Sequence, residues 1–65
     1  MQPHQQRVID ERNTLSGNVD RLASFIGSSP IFTTLPDAEQ ERMARQLDHM
    51  TAYLGVLNER IAAFE

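Results

Sequence analysis

The chain has 65 residues, three glycines, three prolines and no cysteine, and nine acidic against six basic side chains give a formal net charge of −3. That length allows one small domain, and the missing cysteines exclude disulfides and thiolate zinc sites. The acidic balance argues against a general DNA- or RNA-binding surface and against a basic membrane-surface helix.

No apolar run approaches the ~20 residues of a membrane span, and residues 1–12 are polar, without the apolar core of a secretory signal. The expectation is a soluble, cytoplasmic protein. All six cations are arginine (Arg7, Arg12, Arg21, Arg42, Arg45 and Arg60). Arginine's planar fork suits bidentate phosphate contact and stacking on bases; codon bias in a GC-rich genome is the plainer source of the same pattern.

Taken in order, residues 1–4 form a polar lead in which Pro3 fits the first turn of a helix. A first apolar stripe follows: Val8, Leu15, Val19, Leu22 and Ile26, with Phe25 beside it. The missing seam position between Val8 and Leu15 falls at Glu11 or Arg12, so helix 1, over about 4–26, carries a charged gap. Gly17 lies inside it at a cost of about 1 kcal/mol relative to alanine, which permits a kink or a close approach by a backbone or a ligand. Gly27 is expected to close the helix.

The connector, residues 27–35, holds Ser29 as a cap for a short turn and Pro30 at its first position. Ile31 and Phe32 are too apolar for a free linker and are expected to plug the end of the hairpin. Pro36 then opens helix 2, over about 36–63, with Asp37, Glu39 and Glu41 at the positive end of the macrodipole and Arg60 near the negative one. Glu41 and Arg45 are spaced for an i, i+4 ion pair.

The strongest signal in the chain lies in helix 2. Met43, Leu47, Met50, Leu54, Leu57, Ile61 and Phe64 follow one another in alternating steps of four and three. That is a heptad seam, which no strand can use. A connector this short leaves only an antiparallel hairpin. The fold class is therefore all-α: a two-helix hairpin in a single domain, residues 1–65, assembled into a homo-oligomeric helical bundle.

Oligomerisation follows from size. For 7.4 kDa, a compact globule exposes about 4,200 Å² against about 10,700 Å² unfolded. With roughly 60% of the buried area apolar, the hydrophobic gain is on the order of 100 kcal/mol, and ordering the chain costs about as much. An elongated hairpin buries less than a globule. The apolar residues flanking the helix 2 seam, Ala52, Tyr53, Val56, Ala62 and Ala63, are the expected subunit contact.

Chemistry-bearing patterns are sparse. His4 and His49 have no metal-ligand spacing, so no metal site is expected. Ser24, Ser28 and Ser29 read as helix-end residues rather than nucleophiles, the glycines form no phosphate loop, and Asp10 and Glu11 read as solvated charges. Neither catalytic residues nor a cofactor are expected, and a lone hairpin offers no enzyme cavity. The polar content of helix 1 remains: His4, Arg7, Glu11, Arg12, Asn18 and Arg21. It reads either as a solvated face with an Arg7–Glu11 ion pair or as a ligand site built across subunits, His4 stacking on a base and arginines holding phosphates.

The runs QQRVIDERNTLSGNVDRLASFI and PIFTTLPDAEQERMARQLDHMTAYLGVLNERIAAF, with Arg7-Val8, Gln46-Leu47, Met50, Tyr53 and Arg60-Ile61 at helical spacing, resemble a widespread family of very small phage-encoded helical proteins. Within or near it are the anti-CBASS sponges, which sequester the cyclic oligonucleotide signals of bacterial immunity without degrading them. The resemblance spans about residues 4–64.

It implies a homo-oligomer such as a hexamer, acting in the cytoplasm of an infected bacterium, with cyclic dinucleotides such as cyclic GMP-AMP held between N-terminal helices of paired subunits. In some members cyclic trinucleotides occupy a separate site near a threefold axis. Carried over by position, His4 stands where a base-stacking tyrosine is expected. No lysine is present in the second half of helix 1, so Asn18 or Arg21 has to serve there beside Arg7. Arg60 matches an arginine late in helix 2 that faces the second kind of site. The competing reading is a protein–protein interaction module that docks a host or phage partner on the apolar face of helix 2.

Overall fold

The computed structural model describes residues 1–64; Glu65, the last residue of the expected domain, lies outside them. Two α-helices, α1 (Pro3–Ser28) and α2 (Asp37–Ala62), flank a short 3-10 turn (Phe32–Thr34), and no strand occurs among the described residues. The helices pack antiparallel along their seams in a rod of 47 × 15 × 14 Å.

α1 starts where proline allows it. Pro3 takes the first helical position, where a missing N–H costs nothing, and the Gln2 carbonyl accepts the Gln5 and Gln6 N–H groups at 3.0 and 3.1 Å. The Gln5 side chain returns a bond, its Oε1 accepting the Gln2 N–H at 3.0 Å. At the other end Gly27 does not close the helix. No glycine has positive φ, and α1 runs on through Ser28 to an extended cap at Ser29, whose N–H bonds the Phe25 carbonyl at 3.2 Å. Ser28 donates its hydroxyl to the Ser24 carbonyl at 2.7 Å. Without a left-handed residue the chain leaves the helix directly into the turn.

The connector is tied by its own polar groups. Ser29 Oγ accepts the Ile31 N–H at 3.2 Å, and the Thr33 and Thr34 hydroxyls donate to the carbonyls of Pro30 and Ile31. Gln40, one turn into α2, donates to the Leu35 carbonyl at 2.9 Å. Of the two apolar connector residues only Phe32 turns inward, its ring edge-on to Phe25 with centroids 6.1 Å apart; Ile31 is 60% exposed, so the plug is a single side chain. Pro36 caps α2 rather than entering it, its carbonyl accepting the Glu39 and Gln40 N–H groups at 2.9 and 3.0 Å.

Burial is concentrated toward the termini. Val8 and Leu15 of α1 close on Leu57 of α2, which is wholly buried, and Val19, Met50, Leu54, Ile61 and Phe64 pack around them. The gap in the α1 seam is filled by Arg12. It is half-buried and reaches across to Asn58, Nη1 donating to Oδ1 at 3.1 Å, while its Nε donates to Asn13 Oδ1 at 2.8 Å. A polar seam position is stable here because the guanidinium is hydrogen-bonded and keeps solvent contact. Tyr53 and Val56 stay 44% and 51% exposed on one chain, and Ala52, Ala62 and Ala63 are exposed as well.

Charge pairing differs from the spacing-based expectation. Among the described residues the ion pair formed is Arg42–Glu39, at 2.8 Å between two exposed side chains; neither Glu41–Arg45 nor Arg7–Glu11 closes. Solvated pairs of this kind contribute well under 1 kcal/mol, so spacing alone does not select among them.

A candidate ligand face beside an apolar groove

Successive residues turn by about 100° around a helix, which sorts the side chains of α1 into stripes. Besides the buried seam, a second stripe runs His4, Arg7, Glu11, Thr14, Asn18, Arg21 and Phe25, again in steps of three and four. It lies on one flank of the seam. Two observations fix which flank of α2 adjoins it. Asn18, Arg21, Leu22 and Phe25 line a groove together with Met43, Gln46 and Met50. The Arg12–Asn58 bond crosses on the opposite side. The same 100° steps then place Tyr53 and Arg60 on the side of Gln46, so both flanks form one long face of the hairpin.

That face gathers positive charge on an acidic molecule. Arg7, Arg21, Arg42 and Arg60 lie along it with two carboxylates, Glu11 and Glu39, the latter paired with Arg42, whereas Glu41, Asp48 and Glu59 follow the outer side of α2. His4, Arg7, Asn18, Arg21 and Arg60 are all exposed, so each is available to a ligand.

The structure separates these residues into two groups. His4 and Arg7 begin α1 and Arg60 ends α2, so antiparallel packing brings them to the open end of the hairpin. Asn18 and Arg21 lie at the groove, toward the connector. About 21 Å of helix separates Arg7 from Arg21, too far for one compact ligand on a single chain to touch both.

The groove has a volume of about 510 Å³, within the range of small-molecule sites. Leu22, Phe25, Met43 and Met50 give it apolar walls, and Arg21 is the only charged residue lining it. Arg21 Nη2 donates to Asn18 Oδ1, and its guanidinium lies across Gly17, where a Cβ would sit 3.4 Å from Nη1. Gln46 extends its amide toward the Met50 sulfur at 3.7 Å. Phe25, Met43 and Met50 read from sequence as packing positions, Gln46 entered only through the family resemblance, and no sequence signal pointed to a cleft here. Among the described residues no group of three or more His, Asp or Glu side chains is arranged to hold a metal ion, and no helix is long and apolar enough to cross a membrane.

The fold and this face together define a small helical-hairpin protein that carries an arginine-lined flank beside an apolar groove. The chain belongs to the Sequestin family, whose model matches residues 2–63. No curated protein and no solved structure matches it. The family name is compatible with a sequestering role.

Proposed function

We propose that this chain is a phage anti-defence sponge that binds and sequesters cyclic oligonucleotide immune signals without cleaving them. The ligands are cyclic dinucleotides such as cyclic GMP-AMP, and cyclic trinucleotides at a second site. The observation that carries the reading is the flank of Arg7, Asn18, Arg21 and Arg60 on a net-acidic chain of the Sequestin family. Arginine forks match phosphate oxygens bidentately, and His4 offers a ring for base stacking. The protein acts in the cytoplasm of the infected cell and uses no cofactor.

Self-association completes the site in this reading. The chain exposes 4695 Å², roughly 500 Å² more than a compact globule of its mass. With 60% of that apolar, the hydrophobic gain falls short by about 7 kcal/mol, and covering Tyr53 and Val56 with neighbouring copies, as in a hexamer, restores it. The stripe on α1 is nearly symmetric about Thr14, with Arg7 and Arg21 seven residues to either side. Twofold pairing of α1 helices about that point sets His4 and Arg7 of one copy beside Asn18 and Arg21 of the next. Two arginines facing each other repel until an anion lies between them.

The test is calorimetry against cyclic di- and trinucleotides and cyclic ADP-ribose isomers, followed by recovery of intact ligand after denaturation. His4→Ala and Arg7→Ala weaken dinucleotide binding with the oligomer intact, and Arg60→Ala affects trinucleotides more. Silence across the panel refutes the proposal. Exposed Tyr53 and Val56 also suit a partner helix; capture of one stoichiometric protein with no retained small molecule would favour that second reading.

A further inference from the structure

The groove between α1 and α2 extends from Asn18 and Arg21 over Met43, Gln46 and Met50 of the same chain. Resting on the sequestration reading, we propose that it holds one nucleoside phosphate unit of the signal molecule within a single chain, with Gly17 and Asn18 as the residues that position Arg21 for it. The chemistry of the lining selects this class of ligand. Among the described residues Arg21 is the only charge lining it and no carboxylate opposes it; Asn18 and Gln46 add polar amides, and the other walls are Leu22, Phe25, Met43 and Met50. An anion with an attached flat heterocycle matches such a site, its faces against the apolar walls and its polar edge toward the Gln46 amide; a bare anion leaves the walls unfilled and a bare ring leaves the guanidinium unpaired.

Arg21 is prepared for the anion before it arrives. A guanidinium has five N–H donors, and Asn18 Oδ1 engages only Nη2. The bond fixes the plane of the fork and leaves donors for the phosphate. The side chain lies across Gly17, a helix-interior glycine that no positive φ requires. A single methyl there makes ordinary contact with Nη1 at 3.4 Å, whereas a longer side chain takes the space of the guanidinium. On the apolar side Phe25 is held by its edge-on contact with Phe32. The connector therefore fixes one wall of the groove.

The experiment uses the full chain, with AMP, adenosine, inorganic phosphate and cyclic GMP-AMP as probes, read by calorimetry and amide chemical-shift mapping. AMP is expected to shift Asn18, Arg21, Phe25, Gln46 and Met50, and to bind at least tenfold more tightly than adenosine or phosphate. Gly27→Ala, where an added Cβ meets nothing within 4 Å and which lies outside the groove lining, keeps AMP affinity within twofold and the assembly mass unchanged. Gly17→Leu loses at least tenfold, as does Arg21→Gln, which keeps a long polar side chain and serves if the leucine variant fails to fold. If Gly17→Leu folds but breaks the assembly, the glycine serves contact between copies and its positioning role is overturned. If AMP shifts map to His4, Arg7 and Arg60 while cyclic GMP-AMP still binds, the groove assignment falls and sequestration stands. If AMP fills the groove but no cyclic oligonucleotide binds, the groove assignment stands and sequestration falls.

Discussion

Leu57→Ala tests the packing most directly. Among the described residues Leu57 is the one side chain with no exposed surface, and it meets Val8 and Leu15 across the hairpin seam. Truncating a buried leucine removes its transfer free energy and leaves a cavity, for about 2–5 kcal/mol. Because the surrounding Ile61, Leu54 and Phe64 are only half-buried and can settle inward, about 3 kcal/mol is expected. A domain of this length holds roughly 3–10 kcal/mol in total, so the variant should lose from about a third to all of its stability and unfold at much lower urea. The neighbouring Val56→Ala is the control, since Val56 is 51% exposed on one chain. For a lone hairpin its cost stays within about 0.5 kcal/mol; if other copies cover it, the cost exceeds about 1 kcal/mol and the midpoint falls on dilution. The assay is urea unfolding followed by circular dichroism at several protein concentrations. A Leu57→Ala cost below about 1 kcal/mol, well under the burial range, would refute the packing, and an unmutated midpoint independent of protein concentration, with a Val56→Ala cost within about 0.5 kcal/mol, would refute self-association through this face.

Further outcomes follow from the same geometry. Gly55 has nothing within 4 Å of an added Cβ, so Gly55→Ala should stabilise by about 1 kcal/mol through helix propensity; destabilisation in thermal melts would place a neighbouring copy against it. Arg12→Ala removes the bond to Asn58 and should cost about 0.5–1.5 kcal/mol in urea unfolding, with Asn58→Ala adding little in the double variant. Glu39→Gln breaks the exposed pair with Arg42 and should shift stability by less than about 0.5 kcal/mol. Phe32→Ala removes the edge contact to Phe25 and should lower nucleotide affinity as well as stability, seen by calorimetry beside thermal melts.

Where spacing and structure part company, local and long-range forces explain it. Gly27 has the identity of a helix stop but not the conformation. The bond from the Ser29 N–H to Phe25 and the Ser28–Ser24 back-bond keep the last turn intact. Glu41 and Arg45 have favourable spacing, yet the shorter link from Arg42 to Glu39 forms instead, because exposed pairs differ by less than thermal energy separates them. The Arg12 position could be narrowed from sequence only to a charged gap, since its partner Asn58 is 46 residues away.

The sequence by itself determined two helices, their antiparallel return and the stripe each one buries, because a heptad period leaves only one face for the apolar side chains. It also marked His4, Arg7, Glu11, Arg12, Asn18 and Arg21 as the polar residues of helix 1 with binding chemistry, and the family resemblance added Arg60. It did not determine the axial register, that is, which turn of α1 lies opposite which turn of α2. A heptad period looks the same in every register, and the register follows from the length and path of the connector, with Phe32 edge-on to Phe25 and Gln40 bonded to the Leu35 carbonyl. That register, present only in the tertiary structure, sets Arg21 and Asn18 over Met43, Gln46 and Met50 and so forms the groove.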